Sequence, residues 1–153
     1  DYLIVDLPPG TGDIQLTMAQ KIPVAGAVVV TTPQDVATLD AGKALKMFAT
    51  VSIPVLGLVE NMAAHVCSAC GPAEHLFGEG GAARMSARHG VPVLGALPLE
   101  IGIREQGDAG APIVVARPDS AAARAYRAVA RALLAELDNR PKLRGGILAQ
   151  LLG

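Results

Sequence analysis

Cys67 and Cys70 are the only thiols in a chain of 153 residues, and they stand as C-x-x-C with Gly71 and Pro72 directly behind. That spacing lets two thiolates meet one metal centre, and the glycine permits the tight backbone such a meeting needs. Two ligands leave a closed site short of the usual four, and a symmetric dimer can double them. A zinc site within one chain is the alternative, since His65, Cys67, Cys70 and His75 form H-x-C-x-x-C-x4-H. A thioredoxin-like redox pair fits less well, because such cysteines open a helix directly after a strand. The plainest reading is two inert surface thiols. Taken singly, His65 and His75 read as solvent-exposed loop histidines, and His89 as a cation at a helix C-terminus.

The second stretch with chemistry in it is "DYLIVDLPPGTGD", Asp1 to Asp13. Tyr2 to Val5 is a continuous apolar run, the pattern of a strand covered on both faces, and Asp6 closes it. A buried carboxylate needs a partner. Asp6 either caps the following turn or holds a magnesium ion through water beside nucleotide phosphates. Pro8 and Pro9 stiffen the loop, while Gly10 and Gly12 bring bare backbone N–H groups to its surface, a set suited to phosphate.

Asn61, in "VENM", offers both a donor and an acceptor, which suits the edge of adenine; the alternative is a turn-forming asparagine. "GEGGAA", Gly78 to Ala83, has the letters of a dinucleotide fingerprint. It follows an irregular cysteine-bearing stretch rather than a buried strand, so its glycines are expected to form the turn into a helix.

The elements that must position these groups alternate. Apolar runs at Ala27 to Val30, Val55 to Val59 and Val93 to Leu97 predict strands. Asp13 predicts the cap of a helix over Ile14 to Lys21. Thr32 and Pro33 predict the cap and first turn of a helix to about Thr50, with Val36, Leu39, Ala44, Met47 and Val51 as its apolar positions. A helix over Gly81 to His89 ends at Gly90. "PIVV", Pro112 to Val115, predicts a short edge strand. Asp119 or Ser120 caps a final helix to Leu137, whose inner stripe is Ala122, Tyr126, Val129, Leu133 and Leu137. The expected fold is α/β, a mostly parallel sheet with helices on both faces, over residues 1–137, followed by a tail over 138–153.

Bulk properties narrow the function. The formal net charge is −1, so there is no basic excess for nucleic-acid binding. No apolar run approaches the roughly 18 residues of a membrane helix, so no membrane partner is expected. Few cysteines and no signal-peptide pattern point to a reducing cytoplasm.

Several motifs in order carry a family resemblance. They are "DYLIVDLPPGTGD", "VVVTTPQDVATLDAGKALKMF", "IPVLGLVENM", "CSAC" and "HLFGEGGAARMSARHGVPVLGALPLEIGIREQGDAGAPIVV". Over roughly residues 1–120 the chain resembles the MinD/Mrp class of P-loop ATPases, most of all its Mrp/ApbC branch of iron–sulfur cluster scaffolds and carriers. The resemblance implies a MinD-like P-loop domain of which this is the C-terminal part. The glycine-rich phosphate loop is expected upstream: the chain holds no G-K-[ST], and Gly42-Lys43-Ala44 lacks the hydroxyl. Alone, such a part is expected to bind ATP weakly or not at all.

By resemblance, ATP and Mg2+ belong at the switch near Asp6, the catalytic position, and Gly10. Asn61 and the loop Pro98, Leu99 and Glu100 would hold the base; many family members carry aspartate where this chain has Glu100. Cys67 and Cys70 match the pair that bridges a 4Fe-4S cluster across a homodimer. The partners implied are a second copy and apo iron–sulfur client proteins, and ATP hydrolysis would be slow. Two other functions remain open: a MinD/ParA-like positioning ATPase without a cluster, and a zinc-stabilised binding module.

Overall fold

The computed structural model describes residues 2–7, 17, 21–22, 24–66, 71 and 73–140. The chain runs β1 (Ala27–Thr31), α1 (Asp35–Thr50), β2 (Val55–Glu60), β3 (His65–Val66), β4 (Ala73–Glu74), α2 (Gly81–His89), β5 (Val93–Ala96), α3 (Ile101–Asp108), α4 (Ile113–Ala116) and α5 (Ala121–Asp138). The helix expected over Ile14 to Lys21, the loop from Pro8 to Asp13 and the tail beyond Arg140 fall largely or wholly outside the described residues.

The three aliphatic runs pair as one parallel sheet in the order β1-β2-β5. The central strand β2 has a partner on each side, with Val30 opposite Val59 and Leu58 opposite Val93. Successive residues of a strand face opposite layers, and β2 shows it. Leu58, 0% exposed, joins Val29, Ala41, Leu45, Phe48, Ala82 and Met85 in the layer under α1 and α2. Val59 joins Leu94 and Leu97 in the layer under α5, against Tyr126, Val129 and Leu133. Burying a side chain such as Leu58 contributes about 1.5–3 kcal/mol. Helices therefore cover both faces, as the alternation of elements requires. Among the described residues no helix is long and apolar enough to cross a membrane.

Four local expectations change. Tyr2 to Val5 is not a strand; Tyr2, Leu3 and Ile4 are 67%, 89% and 83% exposed. No described strand pairs with this run, so its apolar side chains have no layer to enter.

α1 begins at Asp35 with Gln34 as its cap, later than Thr32 and Pro33 suggested. The Thr32 hydroxyl bonds the Gln34 side chain, and Pro33 is fully buried beneath the start of α2. The buried face of α1 is Ala41, Leu45 and Phe48, with Ala44, Met47 and Val51 at its edge. Val36 and Leu39 turn outward.

"PIVV" is helical rather than a strand. The Pro112 carbonyl accepts from Val115 and Ala116 N–H, closing a turn that β-branched composition alone does not forbid. Finally, the irregular stretch after β2 contains a small antiparallel hairpin, β3 with β4, pairing His65 with Glu74 and Val66 with Ala73.

The rest holds. Ser120 Oγ accepts from Ala123 N–H at 3.1 Å and caps α5, whose inner stripe packs on the sheet. Gly90 ends α2 at φ +67°, a left-handed turn that suits glycine.

Candidate functional site

Parallel strands deliver their carboxyl ends to one edge of the sheet, and loops leaving that edge form the crevice where open α/β folds bind ligands. Here the edge carries Thr31, Glu60 and Ala96. The strand pairing does not stop there. Asn61 N–H donates to the Thr31 carbonyl at 2.7 Å, and Leu97 N–H to the Glu60 carbonyl at 2.8 Å. Ala63 N–H donates to Leu97 at 3.0 Å, and Leu99 N–H to Ala64 at 2.8 Å. A ladder of main-chain bonds thus carries the β2–β5 pairing on to His65, which bridges Leu99 in parallel register.

This ladder brings Asn61 and the segment Pro98, Leu99 and Glu100 to neighbouring positions. The Asn61 Oδ1 accepts from its own neighbour Met62 N–H at 3.0 Å, which is held at φ +55°. That bond orients the amide, and among the described residues its N–H groups make no hydrogen bond that competes with a base. Pro98, Leu99 and Glu100 are half-buried. At this edge the Asn61 amide therefore offers N–H donors, while the Leu99 main chain is already bonded to Ala64 and His65.

The same ladder fixes the hairpin. His65 is half-buried, not the exposed loop residue expected, and its Nδ1 lies 2.9 Å from the Leu99 carbonyl oxygen. His75 is exposed, with Nδ1 2.9 Å from the Ala63 carbonyl oxygen. A carbonyl can only accept, so each ring donates from Nδ1. His65, Leu76, Leu99, Glu100, Ile101 and Arg104 line an open cavity of about 320 Å3 beside the hairpin. A second hollow of about 370 Å3, between Leu45, Ile53, Val55 and His89, lies by the start of β2, at the opposite edge of the sheet.

Glu60 escaped the sequence reading. It is 8% exposed at the end of β2, and its Oε2 accepts from Ala82 N–H at 2.6 Å. α2 begins at a glycine cap with no side chain to offer, so a carboxylate 22 residues earlier satisfies its first-turn N–H instead. The start of α2 is also pressed against the segment that leads into α1: a Cβ on Gly81 would stand 2.7 Å from the Pro33 carbonyl oxygen. "GEGGAA" is thus the turn into α2, preceded by the two-residue β4. Only the sequence context of Glu60, a carboxylate ending an apolar strand, signalled a buried partner.

Asp6 is solvent-exposed, while Leu7 beside it turns into the core layer of α1. Gly10, Cys67 and Cys70 lie outside the described residues, between or beside segments that are described. Among the described residues no three side chains of His, Cys, Asp or Glu gather at a metal-sized site.

Known proteins resemble this chain. An iron-sulfur cluster carrier protein of Pseudomonas fragi is 62% identical over 130 residues, 85% of this chain and 45% of the relative. The mouse iron-sulfur cluster transfer protein NUBPL is 46% identical over 142 residues, 93% of this chain and 44% of its own length. A solved nucleotide-binding protein from Archaeoglobus fulgidus, in complex with ADP, superposes with a TM-score of 0.64 at 40% identity, over 72% of this chain and 45% of that one. The chain spans less than half the length of these relatives. A family model, ParA, described as the NUBPL iron-transfer P-loop NTPase, matches residues 1–134. The chain therefore belongs to the ParA-type, NUBPL-like iron-transfer P-loop NTPases.

Proposed function

We propose that the protein carrying this chain is an ATP-dependent iron–sulfur cluster carrier. It binds a 4Fe-4S cluster as cargo and hands it to apo client proteins. Cys67 and Cys70 of two copies would supply four thiolates, and transfer is ligand exchange: client thiolates replace them on iron one by one, with no net redox change. ATP and Mg2+ would sit at the carboxyl edge of the sheet. Asp6 would hold the ion through water, Gly10 would belong to the phosphate side, and Asn61 with Pro98, Leu99 and Glu100 would hold the base. Positions 1–153 hold no G-K-[ST], so the lysine-bearing phosphate loop would have to come from residues outside them. Hydrolysis would be slow and serve switching, in a cytoplasmic homodimer.

One observation carries this reading: the ladder beyond β2 and β5 joins residues 98–100 to the start of β3, the strand that leads into the C-x-x-C and pairs with β4 beyond it. Names of the relatives, each a cluster carrier or transfer protein, support the same cargo. The cysteine pair is the feature that favours this reading over a positioning ATPase.

The test is iron and acid-labile sulfide in the full-length protein, reconstituted anaerobically, beside a Cys67→Ala/Cys70→Ala double variant. Iron and sulfide in near-equal amounts, shared by two chains and lost in the double variant, are expected. Zinc without sulfide would replace this reading by the zinc-stabilised module. Absence of any metal would replace it by the positioning ATPase.

A further inference from the structure

The hollow at the amino edge of the sheet, about 370 Å3 in volume, takes no part in the site described above. Its walls come from the end of α1, the start of β2 and the end of α2. Leu45 and Ile53, 6% and 8% exposed, give it an apolar floor. The rim differs in kind. Lys46 and His89 stand there, both exposed, and no carboxylate is among the described residues that line the hollow. Neither of the two enters an ion pair among the described residues.

The two polar groups converge. A Cβ built on Gly42 would lie 4.0 Å from His89 Nε2, which places the imidazole against α1. Gly42 and Lys46 are four residues apart on that helix, so the ammonium rises from the same face. A further cation adds to the field. Arg140 reaches from beyond the end of α5 to the Val55 carbonyl at 3.3 Å, and its Nε is buried with no hydrogen-bond partner among the described residues. Val55 is itself part of the wall.

We propose that this hollow binds a small carboxylate with an apolar body. The carboxylate accepts from the Lys46 ammonium and a His89 ring N–H, and the hydrocarbon part lies on Leu45 and Ile53. A mostly apolar concavity with a few convergent polar groups is the usual form of a small-molecule site, and this volume is at the small end of that class. Two donors match the two oxygens of a carboxylate. Cations at the rim and the lack of an acidic wall make the ligand an anion. The hollow lies at the far end of the strands from the nucleotide edge, so the site stands or falls apart from the carrier reading. A ligand here joins the ends of α1 and α2 and stabilises the fold by mass action.

The experiment titrates octanoate into the full-length protein by calorimetry and follows Tm in parallel. A single site per chain and a rise in Tm are expected. Octylamine keeps the apolar body and reverses the charge, and binds at least about ten-fold more weakly. Shortening the ligand to butanoate weakens binding by up to about four-fold for each methylene removed. Lys46→Ala and His89→Ala each weaken octanoate by about two- to five-fold, the size of one exposed ion pair. Both side chains are exposed, so Tm without ligand stays at the parent's value. Ala49 also lines the hollow and is exposed; Ala49→Trp fills the space and removes binding.

Octanoate that does not bind would overturn the proposal. So would octylamine binding as tightly as octanoate, or an octanoate affinity unchanged in Lys46→Ala and Ala49→Trp alike, because the ligand would then sit elsewhere. Iron and sulfide in the same preparations read the carrier function separately, so the two failures are distinguishable.

Discussion

Two stretches of this chain have nearly the same design. "LIVD", Leu3 to Asp6, and "GLVE", Gly57 to Glu60, are both apolar runs closed by a carboxylate. The second forms the centre of the sheet, with Leu58 out of contact with water and Glu60 holding the first turn of α2. The first lies exposed along its length, and Asp6 is in solvent. Local pattern is equal; neighbours are not. β2 has strands on both sides and helices above and below, whereas no described element pairs with Leu3 to Val5. A strand-like sequence states what a segment can do when covered, and the cover must come from elsewhere in the fold.

The sharpest way to break this comparison is to make the same change in both runs. Leu58→Ala is expected to lower stability by about 2–5 kcal/mol, and Leu3→Ala by less than about 0.5 kcal/mol. Chemical denaturation of the chain measures both, and equal shifts would mean that the first run is also part of a core. Amide exchange adds a second reading. Leu58 N–H, bonded to Pro92 at 2.8 Å, should exchange only on unfolding, and Ile4 N–H freely. In the full-length protein, slowed exchange at Ile4 would show that the run has found its cover there.

The carboxylates give the next largest contrast. Glu60→Ala removes the acceptor for Ala82 N–H and leaves that donor buried, a cost of about 1–3 kcal/mol. Glu60→Gln keeps an acceptor and should cost less. Asp6→Ala should leave the stability of this chain within about 0.5 kcal/mol, while removing ATP hydrolysis from the full-length protein if its assigned role holds. A destabilising Asp6→Ala would show instead that Asp6 works as a structural cap.

The smallest effect concerns where a helix finds its cap. α5 carries its own, Ser120, so Ser120→Ala should cost about 1 kcal/mol and be offset by Ser120→Asp, another good cap. No residue adjacent to α2 repairs Glu60 in this way, because the position before the helix is Gly80 at φ +68°. Rescue of Glu60→Ala by Gly80→Ser would contradict that difference.

The sequence placed most of the sheet, both helix layers and the end of α2, because those features depend on periodicity and turn chemistry that a short window contains. It placed Asn61 and Pro98 to Glu100 at strand ends, which the structure brings side by side. Other features needed distant partners. Val36 and Leu39 fit a helical stripe, yet α1 meets the sheet through Ala41, Leu45 and Phe48, and an alanine-rich helix offers more than one plausible face. "PIVV" has strand composition but no strand beside it. The cap from Glu60 and the bond from His65 to Leu99 span 22 and 34 residues, so no local pattern could reveal them.

The strand order has a practical consequence for dividing the molecule. Gly71, exposed at the hairpin, separates β1, α1 and β2 from α2, β5 and α5. The two pieces would still meet through the β2–β5 pairing, the Glu60 cap on α2, and a core layer shared between Leu58 and Met85. A cut there should yield two polypeptides that reassemble on mixing and copurify without a covalent link. That makes the hairpin a natural place to build a split, complementing version of this protein.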